Sequence, residues 1–258
     1  MTLAAGLFGS FDIGVDGVGS EATFLEVGDS IASDSAGVIY VGDRNGVRRI
    51  GTDNATSLLA GSPFVPGAVD GNAATARFKE VFGLAAGAGG DVFVGDGLNH
   101  AVRRIDVAGN VTTYAGVMGQ NALVDGAIGL ARFRFPGQMA FAPDGALYVA
   151  DSASATTTAG QVGVIRRVAP DGASVSTLTG VSLAGAFAVD AAGTLYYGST
   201  SGLMMLPLGG SISLVIPRGN AIVFGPDPSV VGIDGIAILG PQQLVVLSGG
   251  QILKVTLP

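Results

Sequence analysis

The chain has 258 residues, 43 of them Gly, with 48% hydrophobic and only 13% charged residues. It has no Cys, which excludes disulfides, thiolate chemistry and Cys-ligated zinc. A formal charge of −7 argues against a surface that tracks nucleic-acid phosphates, so nucleic acid is not an expected partner.

A mean hydropathy of +0.54 would suit a membrane protein, but the pattern does not. The longest uncharged run, Ala191–Pro217, is broken by Gly193, Gly198, Gly202, Pro207, Gly209 and Gly210. No continuous apolar segment of about 18 residues exists, so no membrane span is expected. No basic stretch precedes an apolar one at the N-terminus, so no signal peptide is read there.

In chain order, the first strand pattern is Thr2-Leu3-Ala4-Ala5-Gly6, followed by Asp16-Gly17 and then Ala22-Thr23-Phe24. A unit follows with Val38-Ile39-Tyr40-Val41-Gly42-Asp43, Val47-Arg48-Arg49-Ile50 and Ser57-Leu58-Leu59-Ala60-Gly61. The same pieces return as Asp70-Gly71, Ala76-Arg77-Phe78, Asp91-Val92-Phe93-Val94-Gly95-Asp96, Val102-Arg103-Arg104-Ile105 and Thr113-Tyr114-Ala115-Gly116. A third round is Asp125-Gly126, Ala131-Arg132-Phe133, Ala146-Leu147-Tyr148-Val149-Ala150-Asp151, Ile165-Arg166-Arg167-Val168 and Thr177-Leu178-Thr179-Gly180. Two weaker rounds centre on Leu195-Tyr196-Tyr197-Gly198-Ser199 and Leu244-Val245-Val246-Leu247-Ser248.

The last residues of these central runs are 43, 96, 151, 199 and 248, spaced 48 to 55 apart. Each unit holds four short strands bounded by Gly, Asp and Asn turns, which predicts a four-stranded antiparallel blade. Five such units predict an all-β, five-bladed β-propeller in one domain over 1–258. The predicted blades are 27–61, 83–116, 137–180, 184–216 and 235–258, the last completed by residues 2–6, which close the ring. Small residues dominate each first strand, as expected for a strand lining a crowded channel.

The composite of strand-end Asp, Asn-containing turn, Arg-Arg-Ile and Asp-Gly-x4-Ala-x-Phe resembles NHL-repeat propellers over about residues 1–180. Such propellers commonly have six blades, against five counted here. The resemblance implies relatives that include metal-dependent lyases and lactonase-like enzymes. Those draw ligands from several His, Glu, Asp and Asn, whereas this chain has one His and three Glu.

His100 is the only candidate for His-based catalysis or ligation, and it is read as a turn residue. Asp43, Asp96 and Asp151 could form a cation-binding ring. Their repetition in successive units favours a structural role, accepting hydrogen bonds from their own turns and pairing with a blade Arg. The Arg pairs alternate across their strands, so no pair forms one patch. No catalytic, cofactor-binding or metal-ligating residue is assigned, and no cofactor is expected.

Residues 172–258 hold only five charges, Asp190, Arg218, Asp227, Asp234 and Lys254. Because charges are costly to desolvate, this sector is expected to meet a protein partner or a second copy through residues 181–258. Ser213 and Gln242 are the candidate interface positions. A small ligand would instead be expected on the loop face carrying Asp16, Asp70, Asp125 and the long turn from Ser152 to Gly160.

The functional expectation is a non-enzymatic interaction or structural module in a larger assembly, on a virion or cell surface rather than in the cytoplasm. The alternatives are a carbohydrate- or small-ligand-binding propeller and a metal-dependent hydrolase or lyase.

Overall fold

The computed structural model describes residues 14–154, 163–217, 233–248 and 251–257. The fold is all-β, with five successive antiparallel sheets as the blades of a five-bladed β-propeller fold. The chain divides into two compact units, Met1–Met139 and Ala140–Pro258.

In the first unit, sheet 1 has the spatial order Gly17–Val18, Ala55–Gly61, Gly46–Ile50, Ile39–Asp43 and Val27–Ser33. Sheet 2 repeats it with Gly71–Asn72, Asn110–Gly116, Ala101–Ile105, Val92–Asp96 and Val81–Ala86. Each thus has one strand more than the four expected. The addition comes from the Asp-Gly loop, whose two residues Gly71–Asn72 pair with Asn110 and Val111 at the outer edge.

In the second unit, the strands Leu147–Ser152, Val164–Val168 and Ser174–Thr177 of sheet 3 pair in sequence. Sheet 4 runs Phe187–Val189, Leu195–Ser199, Gly202–Leu206 and Ser213–Pro217. Sheet 5 has three described strands, Gly235–Gly240, Gln243–Ser248 and Gln251–Thr256. The strand expected from residues 2–6 lies outside the described residues. Among the described residues no helix is long and apolar enough to cross a membrane.

Within each unit the core lies between successive sheets. Val47 and Tyr40 of sheet 1 pack with Leu84, Val94 and Ile105 of sheet 2, and Phe78 from the loop between them joins the cluster. In the second unit Tyr148 and Ile165 cluster with Phe187, Leu195 and Tyr197. Aromatic and β-branched residues suit these pleated, half-buried strands.

Close approach explains the small residues on the first strands. A Cβ on Gly83 would come within 2.0 Å of the Gly137 carbonyl oxygen. Gly116 combines a φ of +88° with the Phe133 ring, so it is constrained by conformation and by space.

Candidate functional site

The repeated charged residues come together in one device in each of the first three sheets. Arg48 and Arg49 occupy adjacent positions on a strand and point to opposite faces, so Arg48 is buried and Arg49 exposed. The Arg48 guanidinium donates to Asp16 at 2.7 Å and to the carbonyls of Val15 at 2.8 Å and Thr23 at 3.0 Å. It also lies 3.5 Å from Asp43 and stacks over the Phe24 ring at 5.2 Å.

Sheet 2 repeats the arrangement around Arg103, whose side chain has no exposed surface. Its Nε donates to Asp70 at 2.9 Å, its Nη1 to Asp96 at 2.9 Å and its Nη2 to the Val69 carbonyl at 2.8 Å. The Phe78 ring lies 5.3 Å from the guanidinium carbon. Arg166 of sheet 3 donates to Asp151 at 3.1 Å, again with both side chains fully buried.

The strand-end Asp does more than pair with Arg. Asp43 accepts from the backbone N–H groups of Leu25 and Glu26, and Asp96 from that of Lys79. These donors belong to the loop entering the sheet, whereas hydrogen bonds from the Asp's own turn were expected. That expectation is met by Asn99, which donates to Asp96 at 2.9 Å. Burial pushes the Asp96 carboxyl up to about 6, against the opposing effect of Asn99, Lys79 and Arg103.

Asp16 and Asp70, expected on a ligand-facing loop surface, sit in this clasp. Asp16 accepts from the Leu58 N–H at 3.0 Å, and Asp70 from the Thr113 N–H at 3.1 Å and its hydroxyl. Each carboxylate therefore ties an Asp-Gly loop to the outer strand and to the buried Arg. Asp125 is exposed and holds the same place in the third loop, just before Gly126–Ala127. The turn from Ser152 to Gly160 lies largely outside the described residues.

Asn45 and Asn99 are buried members of the device that spacing alone did not single out. Asn45 donates to the Pro63 carbonyl at 3.0 Å and accepts from the Glu80 N–H, and Asn99 donates to the Gly67 carbonyl at 2.7 Å. Their recurrence in the turn after Asp43 and Asp96 was the available signal. His100 is a turn residue with φ +61°; its ring N–H donates to the Arg134 carbonyl, and its ring meets Phe135 edge-on.

The clasp is absent from sheet 4. Ser199 replaces the Asp and bonds only within its own turn, to Gly202 and Ser201. Met204 holds the register position of the buried Arg, opposite Tyr197. Ser213 opens the outer strand opposite Met205, and its hydroxyl oxygen is buried without a hydrogen-bond partner. Gln242 lies on sheet 5, exposed in the first turn, its carbonyl accepting from the Leu257 N–H. The two candidate interface residues thus stand on separate sheets.

No protein-family model matches the chain, and no curated protein matches it. Solved structures do. A protein provisionally named a gluconolactonase is 16% identical over 86% of this chain and 74% of that one, at a TM-score of 0.52. Virginiamycin B lyase from Staphylococcus aureus is 15% identical over 89% and 69%, at 0.51. The extracellular domain of a provisionally assigned hybrid two-component system from Bacteroides thetaiotaomicron is 11% identical over 88% and 26%, at 0.55. The chain spans only 26% to 29% of some Bacteroides thetaiotaomicron chains it matches. At these identities the likeness is one of fold, the β-propeller.

Proposed function

We propose that the chain is a non-enzymatic propeller of NHL-like type, serving as an interaction module in a larger assembly, virion-like or cell-surface. The supporting observation is the exposed apolar surface of the charge-poor sheets. Leu214, Leu239, Leu247 and Ile252 are exposed there, Ile252 to 76%. Leu247 and Ile252 are direct cross-strand partners, so they form a continuous apolar pair. Among the described residues of 181–257 only Asp190, Asp234 and Lys254 carry charge.

The recurrent charges of the first three sheets are already engaged in intramolecular clasps. This favours a structural role for them over substrate chemistry. The enzymes among the structural neighbours share the fold at 15–16% identity, which carries no activity over to this chain.

The simplest occupant of the charge-poor surface is a second copy. Because the Ser213 hydroxyl faces inward, light scattering after size exclusion tests this on the wild type and on Ile252→Arg and Gln242→Arg. An oligomer that dissociates in either variant, with unchanged circular dichroism, supports the reading. A standard interface buries about 800 Å² per partner, so one desolvated Arg is enough to weaken it. A wild type that stays monomeric at high micromolar concentration, or an oligomer that survives both changes, counts against it.

A further inference from the structure

Two crevices occupy the same place in the repeat, and they differ in size. Between sheets 1 and 2 a cavity of about 150 Å³ is bounded by the cross-strand pair Tyr40 and Arg49 and by Val92, Ile105, Asp106 and Val107. Between sheets 3 and 4 the equivalent cavity is about 530 Å³. Its corresponding walls are the pair Tyr148 and Arg167 on one side and Leu195, Leu206, Pro207 and Leu208 on the other.

The enlargement has a local cause. In sheet 2 the turn after Ile105 is closed by Asp106, whose carboxylate accepts from the N–H groups of Ala108 and Asn110. In sheet 4 Pro207 stands in that position and cannot make this closure. The two turns hold the same number of residues, Gly109 donating to the Asp106 carbonyl as Gly210 does to that of Pro207, but the outer strand begins at Asn110 in sheet 2 and only at Ser213 in sheet 4, which leaves Ser211 and Ile212 outside the strand. The crevice is open where Ser211 and Ile212 lack the cross-strand pairing that Val111 makes with Ile105 in sheet 2. A structural repeat broken at one cavity, with a volume in the range of small-molecule sites, is the observation that carries a binding role.

The lining defines the ligand. Leu178, Leu195, Leu206 and Ile212 form an apolar wall, and Thr179 and Ser211 bring hydroxyls to it. Arg167 is the cation of the site, and its Nη2 donates to Asp144 at 2.6 Å. That pairing offsets the Arg167 charge and leaves the remaining guanidinium N–H groups as donors beside the two hydroxyls, so the site favours a neutral head group over a charged one. We propose that the crevice between sheets 3 and 4 binds a small neutral amphiphile, with an aliphatic body against the leucines and an amide or hydroxyl head at Arg167, Thr179 and Ser211. The proposal is independent of the interaction surface above.

Octanamide and octanoate are matched probes, alike in shape and different in charge. Amide shifts in ¹⁵N-labelled protein should move on adding octanamide, and octanoate should bind at least several-fold more weakly at pH 7. Thr179→Trp fills the exposed rim and should cut octanamide affinity tenfold or more without altering the melting temperature. Arg167→Gln should weaken it several-fold, whereas Arg49→Gln, at the equivalent position of the smaller crevice, should leave it unchanged. Absence of binding, equal affinity for octanoate, or a Thr179→Trp variant that binds as well as wild type would each overturn the proposal.

Discussion

Arg103 and Asp96 both lack exposed side-chain surface and meet at 2.9 Å. Asp70 holds the same guanidinium from the solvent side. The ion triad resembles a rivet through sheet 2, joining its central strands to the incoming loop. Breaking a buried pair from one side leaves an uncompensated charge. Arg103→Met should therefore cost about 3–5 kcal/mol in denaturant unfolding. Arg104→Met, next in sequence, removes a half-exposed pair with Asp91 and should cost less than about 1 kcal/mol. Equal losses in the two variants would refute the rivet.

Asp96 also gives stability a pH signature opposite to that of an ordinary surface carboxylate. Its folded value of about 6 lies above the unfolded 3.8, because burial outweighs an Arg103 charge shared with Asp70. The folded state therefore binds this proton more tightly than the unfolded chain does. The Asp96 contribution is fully present below pH 3.8 and is lost as pH rises through about 6. Asp34, Asp106 and Asp144, all held below the ordinary value, act in the reverse sense and lose their contributions as pH falls. Asp96→Asn removes only the first behaviour. The stability of wild type relative to Asp96→Asn should thus fall between pH 4 and pH 6.5. A difference that rises over that window would reverse the assignment.

The strand pattern, the five-fold repeat and the pairing of Asp43 with Arg48 were legible because each recurs with the period of the units. The reach of Asp70 back to Arg103 was not. The Asp-Gly dipeptide reads locally as a turn, and the contact spans 33 residues. Gly71–Asn72 is likewise too short to show a strand period, so the outer fifth strand was missed. The crevice at Pro207 depends on where strand pairing begins after the turn and on how two sheets meet, neither of which is a property of spacing. The weak rounds were recognised as weak, and their loss of the clasp at Ser199 and Met204 gives that a physical meaning.

Backbone approach at Gly83 should be intolerant of any side chain. The Cβ of Gly83→Ala would sit 2.0 Å from the Gly137 oxygen, and the neighbouring backbone has no flexible end to yield. A loss of roughly 2 kcal/mol or more is expected, in the range of overpacked cores. Gly89→Ala, with open space around it, should be within about 0.5 kcal/mol of wild type. Thermal melts of the two variants side by side give the comparison.

Asp70 separates a structural loop from a binding loop. Its side chain is 42% exposed, yet it holds Arg103, the Thr113 N–H and the Thr113 hydroxyl at once. If its work is the clasp, Asp70→Ala should destabilise the fold by about 2–4 kcal/mol, because Arg103 stays buried with one counter-charge fewer. Amide exchange should then quicken at Asn72 and Val111, where the loop strand pairs with the outer strand. Thr113→Val removes only the hydroxyl contact and should cost about 1 kcal/mol with little change in exchange. A stable Asp70→Ala protein with native exchange at Val111 would return Asp70 to the role of an exposed residue available to a ligand.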